Sequence, residues 1–114
     1  MKIRDMRLYI TDIWESIVAI EEYAEAVTEE EFYKSRQVQD AVVRRLEIIG
    51  EAVKNIDEDF RNKYPDVPWK KIAGLRDIIT HEYFGVKLER IWEVVVKDIP
   101  YLKKKMLRIM EELK

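Results

Sequence analysis

Val38-Gln39-Asp40-Ala41-Val42-Val43-Arg44-Arg45-Leu46-Glu47-Ile48-Ile49-Gly50-Glu51-Ala52-Val53-Lys54-Asn55-Ile56 decides the fold. Val38, Ala41, Val42, Leu46, Ile48, Ile49, Ala52, Val53 and Ile56 recur at helical steps, and their apolar arc is wide. A wide arc belongs to a central helix packed on more than one neighbour. Gly50 inside it costs about 1 kcal/mol against Ala, and a close helix crossing would account for it. Arg45 also falls within the arc. A guanidinium there must be paired or must face a cleft, because a lone buried charge is too costly. Two readings stay open for Arg45: a structural ion pair, or a cation that binds phosphate.

Working upstream, Thr28-Glu29-Glu30-Glu31 is a capping-box pattern that also suits a helix N-terminus electrostatically. It predicts one helix from there to about Ile56. Before it, Ile3, Met6, Ile10, Ile13, Ile17, Ile20, Ala24 and Val27 form a single apolar stripe, so a first helix is expected to end near Val27. Downstream, Asp57 to Val67 reads as a turn holding one short helical piece. Pro65 and Pro68 keep Asp66-Val67 extended, and Pro68 suits the first turn of a third helix. Trp69, Ile72, Leu75 and Ile79 mark the buried side of that helix, which Gly85 is expected to close. From Lys87 the chain is helical again along Leu88, Ile91, Trp92, Val95 and Ile99. Pro100 breaks or kinks this last helix, and Asp98 is placed to cap the helical stretch after the break. The expected fold is all-α: an up-and-down bundle of four main helices, with residues 1–114 as one domain.

The composition agrees. Of 114 residues, 47% are hydrophobic and 39% charged, with only 3 Gly and 3 Pro, as suits long amphipathic helices. There is no Cys, hence no disulfide framework and no thiolate metal site. No run approaches the length of a membrane span, and charges interrupt the N-terminus from Lys2 onward, so a soluble cytoplasmic protein is expected. The net charge of -2 rules out a general polycation, so any nucleic-acid contact must be local. Lys97, Lys103, Lys104, Lys105, Arg108 and Lys114 concentrate late in the chain, either as a solvated helix face or as a surface for RNA.

Chemistry points to Arg76-Asp77-Ile78-Ile79-Thr80-His81-Glu82-Tyr83, which holds the single histidine of the chain. Arg grips phosphate bidentately and stabilises extra negative charge. His moves a proton near neutral pH. Asp77 and Thr80 are candidate supporting residues beside them. On a continuous helix, however, Arg76 and His81 lie about 140° apart. They can act together only if the helix ends or distorts between them, or if a second subunit joins them. Metal-free RNA cleavage needs a base and an acid, and a symmetric dimer would supply two histidines around one groove. One His without Cys leaves no credible zinc site, and there is no Gly-rich phosphate loop, so neither a metal nor a cofactor is expected.

These residues resemble the HepT-like branch of the HEPN superfamily, small helical ribonuclease toxins of prokaryotes. The resemblance rests on Arg76, polar Asp77, three variable residues, His81 and then Tyr83. It extends to Arg45-Leu46-Glu47-Ile48-Ile49-Gly50-Glu51-Ala52, to Val67-Pro68-Trp69, and to Tyr83-Phe84-Gly85-Val86 leading into Ile91-Trp92. It implies a homodimer with Arg76 and His81 as the ribonuclease residues. It also implies an antitoxin partner, a minimal nucleotidyltransferase of the MNT type, that transfers AMP onto Tyr83 and blocks the groove. The alternative it leaves open is a non-catalytic dimeric accessory or nucleotide-binding subunit of such a nucleotidyltransferase. Two positions depart from many relatives: Asp77 stands where Asn is common, and Lys87 where Asp is common.

Overall fold

Helix α1 spans Ile3–Glu25 of the computed structural model, which describes residues 3–82 and 88–114, with side chains from Asp5 to Leu75 and from Leu88 onward. Met6, Ile10, Ile13, Ile17 and Ile20 are all essentially inaccessible. Each such burial is worth about 1.5–3 kcal/mol, so this stripe alone commits α1 to one side of the core. Ser16 lies among them with no exposed surface, and its hydroxyl has no hydrogen-bond partner among the described residues.

The single helix expected from Thr28 to Ile56 is two helices. Thr28 caps α2, Glu29–Lys34: its hydroxyl accepts from the Glu31 amide at 3.1 Å, and the Glu31 carboxylate accepts from the Thr28 amide at 3.0 Å. That backbone bond holds the Glu31 carboxyl below its usual range. Ser35 then stops α2 and starts α3, Arg36–Lys54, by leaving the helical conformation and accepting from the Val38 amide at 3.2 Å. Ser competes in this way for backbone donors, which is why it favours caps over helix interiors. The Gln39 side-chain amide donates to the Phe32 and Tyr33 carbonyls at the end of α2, at 3.0 and 3.1 Å. The break turns Phe32 fully into the core, against the Trp92 ring with centroids 5.1 Å apart.

As its wide arc predicts, α3 packs on two neighbours, α1 and α5. Val42, Val43, Leu46, Ile49, Gly50, Ala52 and Val53 are buried. Asp57 caps the short α4, Glu58–Lys63, accepting from the Phe60 amide at 2.8 Å. Arg61 of α4 donates to the end carbonyls of the α3 region, Ile56 at 3.1 Å and Val53 at 2.6 Å. Helix α5, Trp69–Glu82, follows Pro68, whose carbonyl accepts its first helical bond from Ile72. Trp69 and Ile72 are buried and Leu75 half-buried. The expected end at Gly85 lies outside the described residues.

The irregularity near Pro100 is a π-helical turn. Helix α6, Leu88–Glu93, passes into a π segment, Val94–Asp98, and then into α7, Ile99–Glu112. Proline lacks an N–H and its ring crowds the carbonyl four residues back, so the turn ahead of it widens. The Ile99 amide accordingly bonds Val94, five residues back. The expectation that Asp98 caps α7 is corrected here. The rod never breaks, Asp98 stays helical, and its side chain makes no cap bond.

Three of the late basic residues are engaged in ion pairs rather than contributing to a free basic face. Lys103 meets Glu21 at 2.7 Å and joins α7 to α1. Lys105 and Arg108 meet Asp66 at 2.8 and 3.3 Å, which ties α7 to the loop before α5. In that loop the buried indole N–H of Trp69 donates to the Tyr64 carbonyl at 3.0 Å. Burial pushes the Tyr64 hydroxyl pKa up, with Glu112 adding to the effect. Lys105 holds the Asp66 carboxyl below its usual range, and Asp66 in turn raises the Lys105 ammonium.

This packing has two measurable consequences. Ser16→Ala should raise unfolding stability by about 1 kcal/mol, since it deletes a buried hydroxyl that has no partner. A fall in the urea midpoint instead would show that the hydroxyl is satisfied in solution. Because the Asp66 pKa is depressed on folding, its contribution is present above the ordinary aspartate range and is lost as pH falls through the lowered value. Asp66→Asn should therefore lower the melting temperature at neutral pH, and its deficit against the wild type should shrink in acid. A deficit that grows on acidification would contradict the clamp.

Candidate functional site

The loop clamp and the burial of Trp69 and Ile72 fix the start of α5, and α3 supports its flank. Arg76, Asp77, Thr80 and His81 all lie on the helical backbone of α5; their side chains lie outside the described residues. Tyr83 and the segment through Lys87 lie outside them altogether. The backbone of α5 is α-helical without interruption from Arg76 through His81. Five residues advance about 7.5 Å along the axis and about 140° around it. Of the two routes by which these positions could cooperate, a helix end between them is thereby removed. Thr80, four residues after Arg76, falls nearly in line with it on the same helix.

Arg45 is half-buried on α3, the helix that packs against α5. Its neighbour Arg44 pairs with Glu47 at 3.8 Å, whereas among the described residues no ion pair engages Arg45. The structural ion pair considered for it is thus not found within that set. Lys70 and Lys71 add exposed positive charge to the first turn of α5. They flank an open groove that also includes Asn62 of α4. Among the described residues, no three His, Asp or Glu side chains converge as metal ligands. No helix there is long and apolar enough to cross a membrane.

One feature invisible to sequence reasoning adjoins α5. A cavity of about 380 Å³ opens between the Pro65–Pro68 loop, α5 and α7. Ile72, Leu75, Val67 and Leu102 give it apolar walls; Asp66, Lys71, Asp98 and Tyr101 supply polar groups. Lys71 and Asp98 stand 3.6 Å apart, partly solvated. The chain separation between these segments is about thirty residues, so no local motif announces the cavity.

Residues 13–109 match the family described as ribonuclease HepT-like. Three relatives illustrate the match. The chain is 54% identical over 110 residues to a Methanocaldococcus jannaschii protein named "Gamma-glutamylcyclotransferase and putative RNase", covering 96% of this chain but only 50% of that protein. It is 44% identical to a second protein of that organism, named "Putative RNase", over 96% of this chain and 91% of the relative. It is 45% identical to the "Probable ribonuclease HepT" of Thermococcus cleftensis, over 90% and 93% of the two chains. No solved structure matches. The all-helical fold, the order of the motifs and these matches together show that the chain belongs to the HepT-like ribonuclease family.

Proposed function

We propose that this chain is a metal-independent endoribonuclease, the toxin of a prokaryotic toxin–antitoxin pair acting in the cytoplasm, with residues 1–114 forming one HEPN-like domain. The observation that carries the reading is that a HepT-like chain holds its single histidine, His81, on the same unbroken helix as Arg76. Because the two positions diverge around that helix, the proposed site is composite. Two α5 helices related by a dimer axis line one groove, and Arg76 and His81 of both copies surround one phosphate.

In this groove one His81 takes the proton of the RNA 2′-hydroxyl. The 2′-oxygen attacks the adjacent phosphorus, and the bond to the 5′-oxygen breaks. The 5′-oxygen leaves with a proton from the second His81. The products are a 2′,3′-cyclic phosphate and a free 5′-hydroxyl. Arg76 holds the phosphate and stabilises the charge that develops on it. Asp77 and Thr80 support the pair from the same helix. Lys70, Lys71 and Arg45 add positive potential along the path of the strand.

Control is proposed to come from an MNT-type nucleotidyltransferase antitoxin that transfers AMP to the Tyr83 hydroxyl. The anionic adduct repels the RNA backbone and fills the groove. The names of the relatives support the RNA substrate; dimer, antitoxin and modification rest on the resemblance of the motif.

The test is RNA cleavage by the purified protein in excess EDTA. His81→Ala and Arg76→Ala should each lower turnover by roughly 10²–10⁴-fold, and the products should carry cyclic phosphate ends. Only 3′-hydroxyl ends would sink the mechanism, and equal traces of cleavage in wild type and variants would mean contamination. No cleavage by a protein shown by mass spectrometry to be free of AMP would favour the accessory-subunit alternative. Tyr83→Phe should still cleave but should gain no AMP when incubated with the partner and ATP. An adduct on that variant would move the modification to another residue.

A further inference from the structure

We propose that the cavity between the Pro65–Pro68 loop, α5 and α7 is a subsite for a guanine base of the RNA; this rests on the ribonuclease reading. Its volume of about 380 Å³ lies within the range of small-ligand pockets. Its walls are apolar, formed by Val67, Ile72, Leu75 and Leu102, as the faces of a flat heterocycle require. Tyr101 adds an aromatic wall, and its ring is steadied by Lys105, whose ammonium lies 5.1 Å from the centroid. Aromatic and apolar surfaces of this kind hold unstacked bases of single-stranded RNA.

The polar groups select among the bases. Lys71 offers donors and the Asp98 carboxylate offers two acceptors, side by side in one cavity, while the other lining carboxylate, Asp66, is held by Lys105 and Arg108. At 3.6 Å their contact is too long for a hydrogen bond, and both side chains keep access to solvent, at 63% and 39% exposure. The pair therefore retains bonding capacity for a ligand. A donor beside two acceptors is the complement of the guanine edge, which presents the O6 acceptor and then the N1 and N2 donors. Adenine and cytosine each place one amino donor beside an acceptor nitrogen, and uracil has one donor between two acceptors, so none of them satisfies the carboxylate twice.

The backbone points the same way. Asp98 closes the π turn forced by Pro100, and such turns often mark functional sites. Asp98 has no capping task there, and its carboxylate faces Lys71 across the cavity mouth. Leu75 of the cavity wall lies on α5, the helix whose backbone also carries Arg76 and His81, so the cavity and the proposed cleavage site share one element.

The experiment is titration of the full chain with GMP, AMP, CMP and UMP, followed by calorimetry and by amide shifts in NMR. GMP should bind at least about ten-fold more tightly than the other three, the discrimination expected of one bidentate contact. The shifts should centre on Val67, Leu75, Asp98 and Tyr101. Asp98→Asn turns one acceptor into a donor. It should weaken GMP by a similar factor and strengthen XMP, whose edge carries an acceptor in place of the N2 amino group. A merely structural role for Asp98 would not produce that exchange. Equal affinities for the four nucleotides, or shifts confined to other surfaces, would each overturn the subsite. His81-dependent cleavage with no preference for guanine would overturn it while leaving the nuclease standing. Guanine-selective binding by a protein that cleaves no RNA would uphold the pocket and defeat the nuclease reading.

Discussion

Helix α3 must be dry on two sides at once, and the arrangement of the other helices depends on that. Its apolar arc, from Val42 to Val53, packs on α1 in one direction and on α5 in the other. A narrower stripe would have allowed α3 to sit at the rim with one neighbour. Because it cannot, α5 is held as an integral part of the bundle. The segment with Arg76 and His81 is therefore carried on a scaffold element and not on a free loop. Rigid support of this kind is what a phosphate-handling site requires, since catalytic groups lose effectiveness with small misplacements.

Charge acts at a second level. A chain with 39% charged residues and a net charge of -2 has ample material for surface pairs. Exposed pairs contribute at most about 1 kcal/mol each. Their effect here lies in where they connect. Lys103 with Glu21, Lys105 and Arg108 with Asp66, and Lys71 with Asp98 join the α6–α7 rod to three different parts of the chain. Several late basic residues thus serve positioning, while Lys70 and Lys71 stay exposed in the first turn of α5.

The π turn shows how a local fault becomes architecture. Pro100 deprives the rod of one donor, and the backbone answers by widening the turn from Val94 to Asp98 without ending the helix. Ile99, Leu102, Met106 and Ile109 stay in the core beyond it. The cost of the irregular turn is offset by this burial, and Asp98 is left beside the cavity next to α5.

The periodicity of apolar residues by itself determined that the protein is helical, where α1 runs and that α3 is central, and the placement of Pro100 determined that the rod is disturbed there. Burial dominates folding, and a 3.6-residue repeat states which face is buried without reference to any partner. The run from Arg76 to Tyr83 was legible in another way, as a contiguous series of residue types that resembles a family motif; periodicity does not single it out. The break at Ser35 was not, because a serine within a helical pattern becomes a cap only when a side chain such as Phe32 has a core to enter. Nor was the fate of Asp66, Lys105 and Asp98. Those side chains read as solvated charges or a cap until packing brings together segments some thirty to forty residues apart. Hydrogen bonds and ion pairs are short-ranged, so only the tertiary structure decides which of many possible partners a charge meets, and the same packing of distant segments forms the cavity beside α5.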